Sequence, residues 1–334
     1  MIMRMDTSAV LITHNSALNF WRWYRTAPIS VDIRRKCTLA PGSFVTRVDA
    51  LNAALKDAAY TTCTSTTDLF GPILHVAANK KSQRLHLESI VSHILQKSST
   101  GIECYMIADN IYVLPPETCF TQVSANATIY QTLLLGMEWC GTYSLDRSSK
   151  KSYAYNLTPL CTVTSLKEYL KSTSFSHGSK ADKTSAYLSF IVDNSASYAE
   201  TTLVLLLTLP YKYGGYGFKQ PLLNPSLDNQ GMLIPPGTLG SLKPDLYWPE
   251  YRVAIEYNSR EFHENLNSYG QDTERRERLE HMGIKVIPVL AKKLYDVERF
   301  DELAKELSTL FHKRLQLPDS FTHTRNELRT RILK

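Results

Sequence analysis

The chain has 334 residues, 43% of them hydrophobic and 21% charged, proportions that exclude a disordered or fibrous protein and leave room for two domains with separate cores. Lys and Arg outnumber Asp and Glu by 38 to 32, a net charge of +6, so a polyanionic partner is permitted without being required. The longest strongly apolar run, 203–209, is too short to span a bilayer, and Arg4, Asp6 and His14 break up the N-terminal stretch too early for a signal peptide, so a cytoplasmic protein with no membrane association is expected.

Along the first half, Thr13, Asn15 and Ser16 form a cap cluster for an aromatic helix over 16–24. Strands are predicted over 71–78 and 103–114, and a helix over 127–140, where apolar residues recur at three and four. The mixture predicts an α+β N-terminal region over 1–180. Its cysteines (Cys37, Cys63, Cys104, Cys119, Cys140 and Cys161) include no C-x-x-C pair and no zinc-like histidine spacing, the usage of ordinary reduced thiols. Lys80, Lys81, Arg84 and His86 form a basic cluster, for which a solvated hairpin is favoured over a nucleic-acid contact. The polar stretch 170–185, rich in Ser, Thr and Lys, marks the boundary.

Beyond it, helices are predicted over 185–194 and 197–210, the second opened by a capping box of Ser197 and Glu200 and closed by Pro210. The Gly214-Gly215-Tyr216-Gly217 loop follows a helix instead of opening one after a strand, which disfavours a phosphate cradle. Two short strands, 244–248 and 252–257, form a hairpin through Pro249-Glu250-Tyr251. Asp272 is expected to cap a helix in which Glu274 and Arg278 pair, with Gly283 just past its end. A strand over 284–290 and an amphipathic helix over 297–315 complete an α/β domain, 185–315, with a mixed central sheet flanked by helices. Residues 316–334 form a basic C-terminal tail, which reads equally as an arm for phosphate or as a solvated end.

The apolar strand Val253-Ala254-Ile255 runs directly into Glu256, a costly arrangement unless the charge is compensated. Asp245 opens the preceding strand, and across a hairpin the two side chains can face one side of the sheet. Adjacent carboxylates repel, and a divalent cation such as Mg²⁺ or Mn²⁺ removes that difficulty while activating water and neutralising charge on a phosphate under attack. Asp245 and Glu256 are therefore the expected metal ligands.

These residues resemble the PD-(D/E)xK nucleases, through Pro244-Asp245 and Glu256-Tyr257-Asn258. The likeness is greatest to the branch of very-short-patch-repair-type endonucleases. The residues that carry it, over roughly 185–312, are Ser197 and Glu200, then Pro244-Asp245, then Glu256 to His263, then Asp272, Arg275, Leu279, Gly283 and Val286. The resemblance implies a restriction-endonuclease-like fold that hydrolyses DNA phosphodiester bonds with Mg²⁺. Glu200 would assist through water, Asn258 would orient the nucleophile, and His263 or Arg275 would handle protons or phosphate. Asn258 stands where that branch has Asp and other members have Lys, so it keeps an oxygen donor but loses charge and basicity.

More faintly, 11–21, 72–86 and 113–120 resemble the sensor-like middle region of AbiEi-type antitoxin proteins. Such proteins usually begin with a winged helix, and this sequence starts after that point. A nuclease-fold nucleic-acid-binding or antitoxin-like regulator, catalytically weak or inactive, is accordingly the alternative function. A third is an interaction protein with no nucleic-acid role. Double-strand cutting requires two successive nicks or two copies, as in a homodimer.

Overall fold

The computed structural model describes residues 9–27, 35–40, 44–45, 47–62, 64–95, 101–145, 153–172, 179–258 and 266–333; the side chains of 35, 179–182 and 266–273 fall outside that description. The protein is mixed α/β and divides into two compact units, 1–132 with 144–186, and 133–143 with 187–334. The division falls just past the polar stretch. It also assigns Leu133–Tyr143, inside the nominal N-terminal region, to the second unit.

The first unit contains β1 (Val10–Ile12), α1 (His14–Thr26), β2 (Arg35–Leu39), α2 (Val48–Thr62), α3 (Thr66–Phe70), β3 (Leu74–Ala78), β4 (Ile90–Ile94), β5 (Ile102–Ala108), β6 (Ile111–Val113), α4 (Pro116–Ser124), the start of α5 (Ile129–Trp139), α6 (Val163–Ser172) and nearly all of α7 (Ser179–Tyr187). Its six-stranded sheet has the order β2-β5-β6-β1-β3-β4. The run expected as one strand over 103–114 is two, because Asn110 takes a left-handed φ of 59° and turns the chain back on itself. Leu11, Ala77, Cys104, Tyr112 and Leu114 pack together as the core of one face.

Three histidines gather in this unit. His75 on β3 and His93 on β4 contact through Nδ1 and Nε2 at 2.8 Å, and the ring of His14, which opens α1, stacks on His93 at 3.6 Å. Burial first, and the neighbouring imidazoles second, lower the pKa of His14 to about 3 and that of His93 to about 4.

The second unit is built from α8 (Tyr198–Thr208), β7 (Leu222–Leu223), β8 (Ser226–Leu227), β9 (Leu233–Ile234), β10 (Leu246–Trp248), β11 (Val253–Asn258), α9 (Leu266–His281), β12 (Lys285–Leu290), α10 (Ala291–Tyr295), α11 (Val297–Leu310) and α12 (Phe321–Ile332). A four-stranded sheet has the order β12-β11-β10-β7, and β8 pairs with β9 separately. β10 runs antiparallel to both β7 and β11, whereas β11 and β12 are parallel and joined through α9. α8 is buried from Glu200 to Thr208, as its near-continuous apolar sequence requires. Residues 185–194, expected as one helix, instead hold the end of α7, a single 3₁₀ turn over Leu188–Phe190 and an irregular segment. Asp272, expected as an N-cap, stands inside α9, which already begins at Leu266.

The basic C-terminal stretch carries α12. Phe321, Leu328 and Ile332 are buried along it, Arg325 pairs with Asp301 at 2.5 Å, and Arg329 donates to the carbonyls of Leu294 and Tyr295 at the end of α10. Gly214 makes this docking sterically feasible: its φ is 87°, and a Cβ there would lie 2.3 Å from the Thr324 carbonyl oxygen and 2.9 Å from Leu328 Cβ. The glycine loop is thus a close-packing surface within the unit.

Candidate active site

The hairpin sets the site. Leu246 pairs with Ile255, Tyr247 with Ala254 and Trp248 with Val253; carried one step further, that register sets Asp245 opposite Glu256. Alternation along β11 puts Ala254, Glu256 and Asn258 on one face. Ala254 packs there with Leu279 of α9 and Val286 of β12. Two residues further along the strand, about 6.6 Å, nearly match one turn back along the helix, about 5.4 Å. Glu256 therefore meets Arg275, and the guanidinium donates to Glu256 Oε2. The Glu256 side chain is only 12% exposed, so this ion pair resolves the cost of a carboxylate at the end of an apolar strand. An arginine of the chain's own supplies the cation that the sequence calls for.

Asp245 does a backbone group's work. Its Oδ2 accepts from the Tyr257 N–H at 2.7 Å, extending the hairpin's bonding one step beyond Leu246, the first residue of β10. Leu246 and Trp248, the ends of that strand, are fully buried, so the carboxylate is set on a rigid support.

Glu200 joins from α8. The Ser197 hydroxyl caps the helix by accepting from the Glu200 N–H at 3.1 Å and in turn donates to Glu200 Oε1 at 2.8 Å. Oε2 accepts from Ala196 N–H at 2.9 Å and from the Asn224 side-chain amide at 2.7 Å. Despite these donors, burial first and the nearby charge of Asp245 second raise the Glu200 pKa to about 7. At neutral pH this carboxyl is balanced between holding and releasing a proton.

Asn224 links the two acids. Its backbone N–H donates to the Asp245 carbonyl at 3.0 Å, and its side chain donates to Glu200 and, at 2.9 Å, to the Asn194 carbonyl. The left-handed φ of 48° directs backbone and side chain to different partners. Sequence reasoning passes over this residue, although the Asn-Pro dipeptide at Asn224-Pro225 is a turn signal.

Of the six residues singled out in the sequence, Glu200 and Asp245 are thus linked through Asn224, and Glu256 is paired with Arg275. Asn258 ends β11 on the Glu256 face. His263 lies outside the described residues, as does the side chain of Asp272.

Among the described residues, no three His, Cys, Asp or Glu side chains are grouped closely enough to hold a metal ion. The acidic oxygens of Asp245 and Glu256 are the hard donors that Mg²⁺ or Mn²⁺ prefers, and the raised pKa of Glu200 beside Asp245 marks the negative charge a cation would relieve. The donor chemistry fits such an ion, provided that Arg275 gives way at Glu256 Oε2.

No family model, curated protein or solved structure matches the chain. Among the described residues, no helix is long and apolar enough to cross a membrane.

Proposed function

We propose that the second unit is a restriction-endonuclease-like domain of PD-(D/E)xK type that hydrolyses DNA phosphodiester bonds. The observation that carries this reading is the hairpin register, which sets Asp245 opposite Glu256 at adjoining strand ends, with Glu200 close enough to feel the charge of Asp245. Asp245 and Glu256 would hold Mg²⁺ or Mn²⁺, which when bound supplies activated water and charge neutralisation at the scissile phosphate. Glu200, with a pKa near neutrality, is suited to exchange a proton with water. Arg275, once off Glu256, offers a planar donor pair to a phosphate oxygen. Asn258 contributes a neutral oxygen and amide on the same face, and His263 is the remaining candidate for proton transfer.

One observation favours the second reading, a nuclease-fold nucleic-acid binder or antitoxin-like regulator without cleavage. In the structure, Arg275 occupies Glu256, and Asn258 brings no charge to replace it. Plasmid incubated with Mg²⁺ or Mn²⁺ and the parent, Asp245→Ala or Glu256→Ala protein separates the two. The nuclease reading expects nicking or linearisation by the parent alone. Retarded but uncut DNA with all three proteins supports the binder and sinks the nuclease.

A further inference from the structure

The first unit holds two thiols poised for a reaction that is independent of the carboxylate site. Cys37 on β2 and Cys104 on β5 are directly paired in the antiparallel ladder, and their sulfurs lie 3.4 Å apart. Opposed residues in such a ladder have Cα atoms about 4.5–5.5 Å apart, within the span a disulfide bridges. Each thiol is also turned toward the opposite strand: Cys37 Sγ lies 3.6 Å from the Cys104 carbonyl oxygen, and Cys104 Sγ lies 3.7 Å from that of Cys37. Side-chain rotation, with the backbone in place, therefore has only to close a van der Waals contact to a bond of about 2.0 Å.

Access is unequal. Cys37 is half-buried, whereas Cys104, Cys119, Cys140 and Cys161 are buried. Burial first, then the neighbouring Cys37, raises the pKa of the Cys104 thiol; burial alone does the same at Cys119. Among the described thiols, an oxidant arriving from solvent meets Cys37 first, and the thiol in contact with it is that of Cys104.

We propose that Cys37 and Cys104 form a reversible intramolecular disulfide on exposure to a hydroperoxide. The Cys37 sulfur attacks one peroxide oxygen, the O–O bond breaks, and the other oxygen leaves with the Cys37 proton as an alcohol, or as water when the oxidant is hydrogen peroxide, giving a sulfenic acid at Cys37. The Cys104 sulfur then attacks the Cys37 sulfur; the S–O bond breaks, and the hydroxyl departs as water with the Cys104 proton. Both cysteines are oxidised by one electron each and one peroxide is reduced. The product bolts β2, the edge strand of the six-stranded sheet, to its neighbour.

The test treats the full chain and its Cys104→Ser variant with hydrogen peroxide, alkylates remaining thiols and maps the peptides. The expected result for the parent is a Cys37–Cys104 linked peptide, loss of two hydrogens from the intact mass, and full reversal by dithiothreitol. In the variant, Cys37 is expected to stop at a sulfenic acid trapped by dimedone. A parent in which Cys37 is oxidised while Cys104 remains alkylatable, or in which Cys37 bonds elsewhere, overturns the proposal. So does a parent in which both remain alkylatable after a treatment that oxidises the protein's methionines. Because the parent map decides alone, the proposal stays testable even if the variant misfolds.

Discussion

Each unit carries a knot of ionisable side chains on neighbouring strands beside a helix, and the two knots shed their charge in opposite ways. In the first, burial keeps His14, His75 and His93 below their ordinary proton affinity, so the rings stand neutral at pH 7. In the second, Glu256 is set against Arg275, and Glu200 retains a proton up to about pH 7. A buried base becomes neutral by releasing a proton and a buried acid by keeping one. Acid therefore acts on the three histidines and on Glu200 with opposite sign.

The largest expected effect tests the packing that aligns the acidic knot. Leu279→Ala removes the fully buried side chain that fixes α9 over Ala254, and should cost about 3 kcal/mol in urea unfolding of the second unit. A cost below about 1 kcal/mol would mean that α9 is not held as described.

Next in size is the pH response. An unfolded Glu200 ionises near 4.5 and the folded one near 7, so its contribution is full below 4.5 and lost as the pH rises through 7. The swing is about 3 kcal/mol, and Glu200→Gln should flatten it. The histidines run the other way. Unfolded, they bind protons below about 6.5, but folded His14 and His93 do so only near 3 and 4, so stability falls as the pH drops from 6.5 toward 4. His93→Phe should weaken that fall. Hydrogen exchange resolved by peptide distinguishes the units, and the contrast breaks if Glu200→Gln and His93→Phe change their own unit's pH slope in the same direction.

Arg275→Ala should cost about 1–2 kcal/mol, reduced from the value for a fully buried pair because Arg275 is 38% exposed. In a double-mutant cycle with Glu256→Gln, the combined cost should fall short of the sum, whereas strict additivity would deny the pairing. The smallest effect belongs to Ser197→Ala, about 1 kcal/mol from loss of the cap, with a further rise in the Glu200 pKa as one of its donors disappears. Carbon-detected titration of Glu200 would show that shift.

Local signals made much of this architecture legible in the sequence. The capping box placed α8, the alternation and turn residues placed the hairpin, and Gly283, with a φ of 75°, closes α9 where expected. What the sequence concealed depends on tertiary partners. His14 and His75 come together across 61 residues, and no period connects them. β7 is two residues long, too short for alternation to reveal, so the turn carrying Asn224 had no anchor. The stripe of Phe321, Leu328 and Ile332 in α12 was masked by the surrounding arginines, two of which are spent on Asp301 and on the carbonyls ending α10. Charge count suggested an arm reaching for phosphate, but burial turns much of it into internal support.

The seating of α12 on Gly214 also bears on how the protein is made. Tyr211, beside that glycine, accepts a hydrogen bond from Thr324, a residue synthesised 113 positions later. While a ribosome is still translating the intervening sequence, the carboxylate-bearing sheet can pair its strands, but the glycine turn has nothing to close against. Until α12 emerges, Tyr216 lacks the Phe321 ring and Phe300 lacks the Arg329 guanidinium.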